Sequence, residues 1–148
     1  KFLSRGIDKN FVQDNESKSM KGVLRGLHFQ SPPYSQGKLV RVMKGAVLDV
    51  AVDLRKDSPS YGKWASIELT EDNKFMYWVP PGFAHGFKTL EDHTVFFYKC
   101  TNMYHPESEG SIRWDDPVLN IDWGNTDSLI LSEKDQTAPL FEDFVSPF

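Results

Sequence analysis

The sequence predicts an all-β fold, a small barrel or a sandwich. Three observations carry this: a series of short β-rich runs, Gly, Pro, Asn and Asp signals between them, and little helical periodicity. Lys1–Ile7 reads as the end of a helix. Gly22–Gln30 is the first β-rich run, and Lys38–Met43 follows a Pro-Pro-Tyr-Ser loop. Gly45–Arg55 has the clearest period: Val47, Asp49, Ala51 and Asp53 alternate with Leu48, Val50, Val52 and Leu54, which predicts a strand with one apolar face. Asp57-Ser58-Pro59 ends it, and Tyr61–Leu69 and Lys74–Val79 follow as further runs. Pro80-Pro81-Gly82 forms a rigid corner before the run Thr94–Thr101. Ser132 as N-cap, with Asp135 at the third helical position, predicts a short helix. The tail from Thr137 to Phe148 carries Pro139, Pro147 and three Phe, so it is expected to pack on something.

The 148 residues suit one domain, residues 1–148. Hydrophobic residues at 39% and charged residues at 26% permit a buried core and argue against disorder. A formal net charge of -4 lacks the basic balance of a nucleic-acid binder, although a few placed Arg and Lys suffice for a small anion. Cys100 is the only cysteine, so no internal disulfide forms and a reducing, cytoplasmic setting is expected. No apolar run reaches membrane-spanning length, and no membrane partner is expected. The start at Lys1-Phe2-Leu3-Ser4 without Met predicts that an N-terminal segment is missing.

Charged residues interrupt the apolar strands where a small barrel needs apolar side chains inside. Arg25 and His28 sit among Val23, Leu24, Leu27 and Phe29; Lys38 lies just beyond, Asp49 and Asp53 share a strand face, and His85 follows the Pro-Pro-Gly corner. Buried alone, such groups cost several kcal/mol, so they are paired or functional. The plainer reading of a single His in an apolar strand is a hydrogen-bonded core residue. Asp53, Arg55, Asp57 and Lys63 read as rim charges, and His93 and His105 as loop bystanders.

A metal site is the first competitor. Pro80-Pro81-Gly82-Phe83-Ala84-His85 has the P-x-G-x-x-H form of the second metal-binding motif of cupins, which it resembles. A metal cupin also supplies an H-x-H pair and a Glu, whereas His28 is followed by Phe29 and Gln30. Too few ligands remain for a shell, so no metal and no cofactor are expected.

Phe11-Val12-Gln13-Asp14-Asn15 and Gly22-Val23-Leu24-Arg25-Gly26-Leu27-His28-Phe29-Gln30 resemble the dTDP-4-dehydrorhamnose 3,5-epimerase family, whose members share a cupin-type jelly-roll barrel. The resemblance continues through Gly37-Lys38-Leu39-Val40, Trp78 to Phe87, Tyr98-Lys99-Cys100, Trp114 to Pro117 and Leu131 to Asp135. It implies an isomerase with His28 as the base beside the C4 ketone of a nucleotide-linked sugar and Asp135 as the carboxylate that poises it. Lys38 would stabilise the enolate oxygen and Tyr98 would act as the opposing acid. Arg25 would approach the diphosphate. Gln13 and Asn15 would lie near the nucleotide, Tyr104 would stack on its base, and His85 would bond the substrate or the dyad. The resemblance also implies a homodimer, with an N-terminal strand whose Phe and Arg reach the partner's site.

Physical chemistry agrees with these roles. A carboxylate fixes the tautomer of its imidazole and stabilises the imidazolium. A donor aimed at the enolate oxygen is usually the largest catalytic contribution, and a phenol is a competent neutral acid near pH 7. The plainer alternative for Tyr98 is simple core packing behind Val95, Phe96 and Phe97. Alternative activities are a monoepimerase and an epimerase of GDP-linked 4-keto sugars. An alternative of another class is a barrel that binds a nucleotide sugar without turning it over.

Overall fold

A computed structural model describes residues 2–148. Nine strands, β1 (Gln13–Ser19), β2 (Leu24–Gln30), β3 (Lys38–Lys44), β4 (Ala46–Asp53), β5 (Trp64–Thr70), β6 (Tyr77–Val79), β7 (Phe83–Thr89), β8 (Thr94–Cys100) and β9 (Glu109–Ser111), form two antiparallel sheets. Their orders are β1-β8-β3-β6 and β5-β4-β7-β2-β9. One apolar layer lies between the sheets, built on Val40, Val42, Val47, Leu69, Phe87 and Phe96. A second lies outside the five-stranded sheet, where Ile112, Leu119 and Trp123, with Phe141, Phe144 and Phe148, cover Leu24, Leu27, Val50, Val52 and Leu54. The expected all-β barrel is therefore present, and the Phe-rich tail is packed.

Several local expectations are corrected. β4 is buried on both faces, because its Leu48, Val50 and Val52 side lies under the C-terminal layer while Val47, Asp49 and Ala51 face the other sheet. Asp53 is no rim charge: it is 1% exposed. Its carboxylate accepts from the Arg55 guanidinium at 2.8 and 2.9 Å and from the hydroxyls of Ser58 and Ser60 at 2.6 Å. The N-terminal helix is a single 3-10 turn, Leu3–Arg5, and Lys1 lies outside the described residues. Three strands carried no clear periodic signal: β1, which is wholly polar, β7 beyond the Pro-Pro-Gly corner, and the three-residue β9. β1 is a strand because its whole length pairs with β8. The short helix α1 (Glu133–Gln136) does form, with the Ser132 hydroxyl accepting from the Asp135 amide at 3.1 Å. None of the helices of the described residues is long and apolar enough to cross a membrane.

Candidate active site

β2 and β7 approach unusually closely where the site is built. A Cβ on Gly26 would lie 2.6 Å from the Gly86 Cα, and Gly26 has a φ of 132°, so only glycine fits there. The register shifts between Arg25 and His28, and the shift sets His28 directly opposite His85. α1 then delivers Asp135 behind His28. The His28 Nε2 and Asp135 Oδ1 are 2.5 Å apart, with Asp135 only 2% exposed and the imidazole partly open. The Gly26 amide donates to the other carboxylate oxygen at 3.4 Å. Burial pushes the Asp135 carboxyl up, but the bond to His28, its charge and the Ser132 contact prevail and hold it below the usual range. With Nε2–H donating to the carboxylate, Nδ1 keeps its lone pair as a base.

Facing this pair is a cavity of about 360 Å³, and His28, Lys38, Tyr98, Gln13, Asn15 and Tyr104 all line it. A smaller recess of about 150 Å³ shares His28, Lys38 and Tyr98 and adds Arg25 and His85. His28 stands on β2 in one sheet, while Tyr98 on β8 and Lys38 on β3 stand in the other. Imidazole and phenol therefore address the cavity from opposite walls. The Lys38 ammonium lies 5.9 Å from the centre of the Tyr98 ring. Burial lowers the Lys38 pKa, opposed by Cys100, Asp49 and Glu109. Burial raises that of Tyr98, so its phenol keeps its proton at neutral pH.

The nine residues named from the sequence thus gather here, eight on the two cavity walls and Asp135 behind His28. His85 does not bond the His28–Asp135 dyad. Its Nε2 lies 2.9 Å from both oxygens of Asp49, a second His–Asp pair buried in the barrel. Burial pushes the Asp49 carboxyl up, with His85 and Lys38 opposing. Two residues were missed. Glu109 accepts from the Tyr104 phenol at 2.9 Å and from the Lys134 ammonium at 2.8 Å, and it lines the larger cavity. Lys134 adjoins Asp135 on α1, so its place beside the dyad was readable; Glu109 lies in a polar run with no period. His105, outside the cavity lining, stacks its ring on Tyr34. Among the described residues no three His, Cys, Asp or Glu side chains are grouped to hold a metal.

The family model of dTDP-4-dehydrorhamnose 3,5-epimerase matches residues 1–143. The chain belongs to this family. The dTDP-4-dehydrorhamnose 3,5-epimerase of Methanothermobacter thermautotrophicus is 52% identical over 145 residues, which are 96% of this chain and 78% of that one. The Escherichia coli enzyme of the same name is 56% identical over 131 residues, covering 88% of this chain and 71% of that one. A crystal structure of a dTDP-6-deoxy-D-glucose-3,5-epimerase from Legionella pneumophila, in complex with dTDP-4-keto-L-rhamnose, superposes with a TM-score of 0.91 at 53% identity, over 95% of this chain and 74% of that one. The cupin-type jelly roll of these epimerases is the fold of this family member. Its two-wall cavity is the feature that an epimerase of this kind requires.

Proposed function

We propose that the chain epimerises C3 and C5 of a dTDP-linked 4-keto-6-deoxy-hexose. The observation that carries this is the placement of a carboxylate-poised imidazole and a protonated phenol on opposite walls of one cavity. Inversion needs both, because a proton returned to the face it left changes nothing.

In this reading the His28 Nδ1 removes the proton from the carbon beside the C4 ketone, and the C–H electron pair moves into the enolate. Lys38 holds the oxygen that gains charge. Tyr98 delivers its proton to the opposite face of the carbon; solvent then restores the phenol, and His28 releases the proton it took. The Asp135 carboxylate favours the imidazolium that forms in between. Arg25 and Lys134 supply cations for the diphosphate, Gln13 and Asn15 contact the nucleotide, and the half-exposed Tyr104 ring stacks on the base. The barrel's own side chains suffice for these steps, with no cofactor. The relatives at 52–56% identity are named 3,5-epimerases, whereas the 3'-monoepimerase of Streptomyces bikiniensis is 30% identical, which supports the double epimerisation.

Deuterium exchange tests the reading. In D₂O, with dTDP- and GDP-linked 4-keto sugars in parallel, deuterium is expected at both C3 and C5 of the dTDP sugar. His28→Ala is expected to lose exchange at both carbons while still binding dTDP. Exchange at neither carbon by the folded parent protein would sink the enzyme reading and leave a nucleotide-sugar binder.

We also propose a homodimer through the outer side of the β1-β8-β3-β6 sheet. Met43 on β3 is exposed, as are Val12 just before β1 and Phe75 and Met76 just before β6, and the buried Arg41 Nε on the same sheet has no partner among the described residues. Sedimentation of the parent and of Met43→Glu measures this, with dissociation of the variant expected. The single buried thiol, Cys100, supports a cytoplasmic setting, which cell fractionation checks.

A further inference from the structure

The segment that carries Tyr104 is tied down from below and from the side. Gln30, the last residue of β2, is 4% exposed and spends both ends of its amide on two loops. Its Nε2 donates to the Tyr34 carbonyl at 2.8 Å and to the Met103 carbonyl at 3.2 Å, and its Oε1 accepts from the His105 amide at 2.9 Å. Over this junction the Tyr34 and His105 rings lie parallel, with centroids 3.7 Å apart and an angle of 5°. The Ser108 hydroxyl is 2.9 Å from the His105 Nδ1, which fixes the far side of the imidazole. Tyr104 lies between two anchored residues, Met103 and His105, and its own amide donates to Gln13 at 2.8 Å. Neither the Tyr34 ring nor the His105 ring lines the cavity.

We infer that the Tyr34–His105 stack is a clamp that holds Tyr104 ready for the nucleotide base, acting on nucleotide affinity and not on proton transfer. This rests on the epimerase reading above. The physical reason is preorganisation: a loop ordered before binding does not have to be ordered by the ligand. Tyr34 and His105 are positioning residues, since they act through Tyr104.

The experiment measures dTDP affinity by calorimetry, and kcat and KM with the dTDP-linked 4-keto sugar, on the full chain. Tyr34→Ala is expected to weaken dTDP binding about 3–10-fold, the worth of one aromatic stack, and to raise KM alike while kcat holds. His105→Ala, which removes the same stack from its other member, is expected to match it, and Tyr34→Phe to restore parental affinity. In a Tyr104→Ala background, Tyr34→Ala is expected to cost nothing more. Unchanged dTDP affinity in Tyr34→Ala, an equal loss in both backgrounds, or a fall in kcat with KM unchanged would each overturn the clamp. A parent that binds no dTDP overturns the epimerase reading and the clamp together; a parent that binds and turns over, with no effect of Tyr34→Ala, overturns the clamp alone.

Discussion

At the scale of single residues, two His–Asp pairs lie side by side in the barrel and differ in what surrounds them. His28 keeps one ring nitrogen open to the cavity, while His85 is nearly enclosed and gives its Nε2 to both oxygens of a fully buried Asp49. In the proposed reaction the imidazole with a free nitrogen facing the ligand space is the base, and the one sealed on a buried carboxylate supports the wall beside it. Lys38 lines the same cavity, and in the proposed reaction its charge serves the enolate step. Burial sets its pKa below that of an exposed lysine, so Lys38 loses its charge at a lower pH than an exposed lysine would. Lys38→Met is expected to lower kcat about 10²–10³-fold, the usual cost of losing one such donor. The parent's kcat is expected to fall with rising pH at a lower pH than an exposed lysine would dictate, and pH–rate profiles of Lys38→Arg are expected to lack that limb, because guanidinium does not titrate there.

At the scale of elements, the turn between β4 and β5 is held by one carboxylate. Asp53 accepts from the Arg55 backbone and guanidinium and from two serine hydroxyls, all within seven residues. Burial opposes ionisation of Asp53, but these four partners prevail and hold its pKa far below the usual range. A depressed carboxylate stabilises the fold fully above its unfolded pKa of about 3.9, and that stability drains as pH falls toward the folded value. Asp53→Asn is expected to cost about 3 kcal/mol at pH 7, because donors are left facing an amide in a buried place. Denaturant unfolding at pH 7 and at pH 3 checks this: the gap between parent and variant is expected to narrow in acid. The Asp-x-x-x-x-Ser-x-Ser spacing was visible in the sequence, but its meaning was not, since rim and buried carboxylates look alike until the chain turns back on itself.

At the scale of the whole molecule, the C-terminal layer supports the strand that carries His28. Phe144 and Phe148 meet the Phe29 ring edge-on at 5.3 and 5.9 Å, and Phe29 is the neighbour of His28 on β2. The Ser146 hydroxyl donates to the Leu54 carbonyl, and the Phe141 amide donates to the buried Asp116 at 2.7 Å, so the tail is bonded as well as packed. Phe144→Ala is expected to lower stability by about 2 kcal/mol, which for this length is a fall of about 4–8 °C in Tm, measurable by calorimetry. The sequence by itself determined the β-rich class, the cap at Ser132, and which residues, His28, Asp135, Lys38 and Tyr98 among them, gather around one cavity, because strand periods, caps and motifs are local or carried in order along the chain. Only the tertiary structure decided that β4 is covered on both sides, that all-polar β1 is a strand, that His85 belongs to Asp49, that Glu109 lines the cavity and pairs with Lys134, and that Tyr34 stacks on His105. The physical reason is that these depend on which residues distant in the chain meet, and no local pattern records the burial or the partner that such a meeting brings.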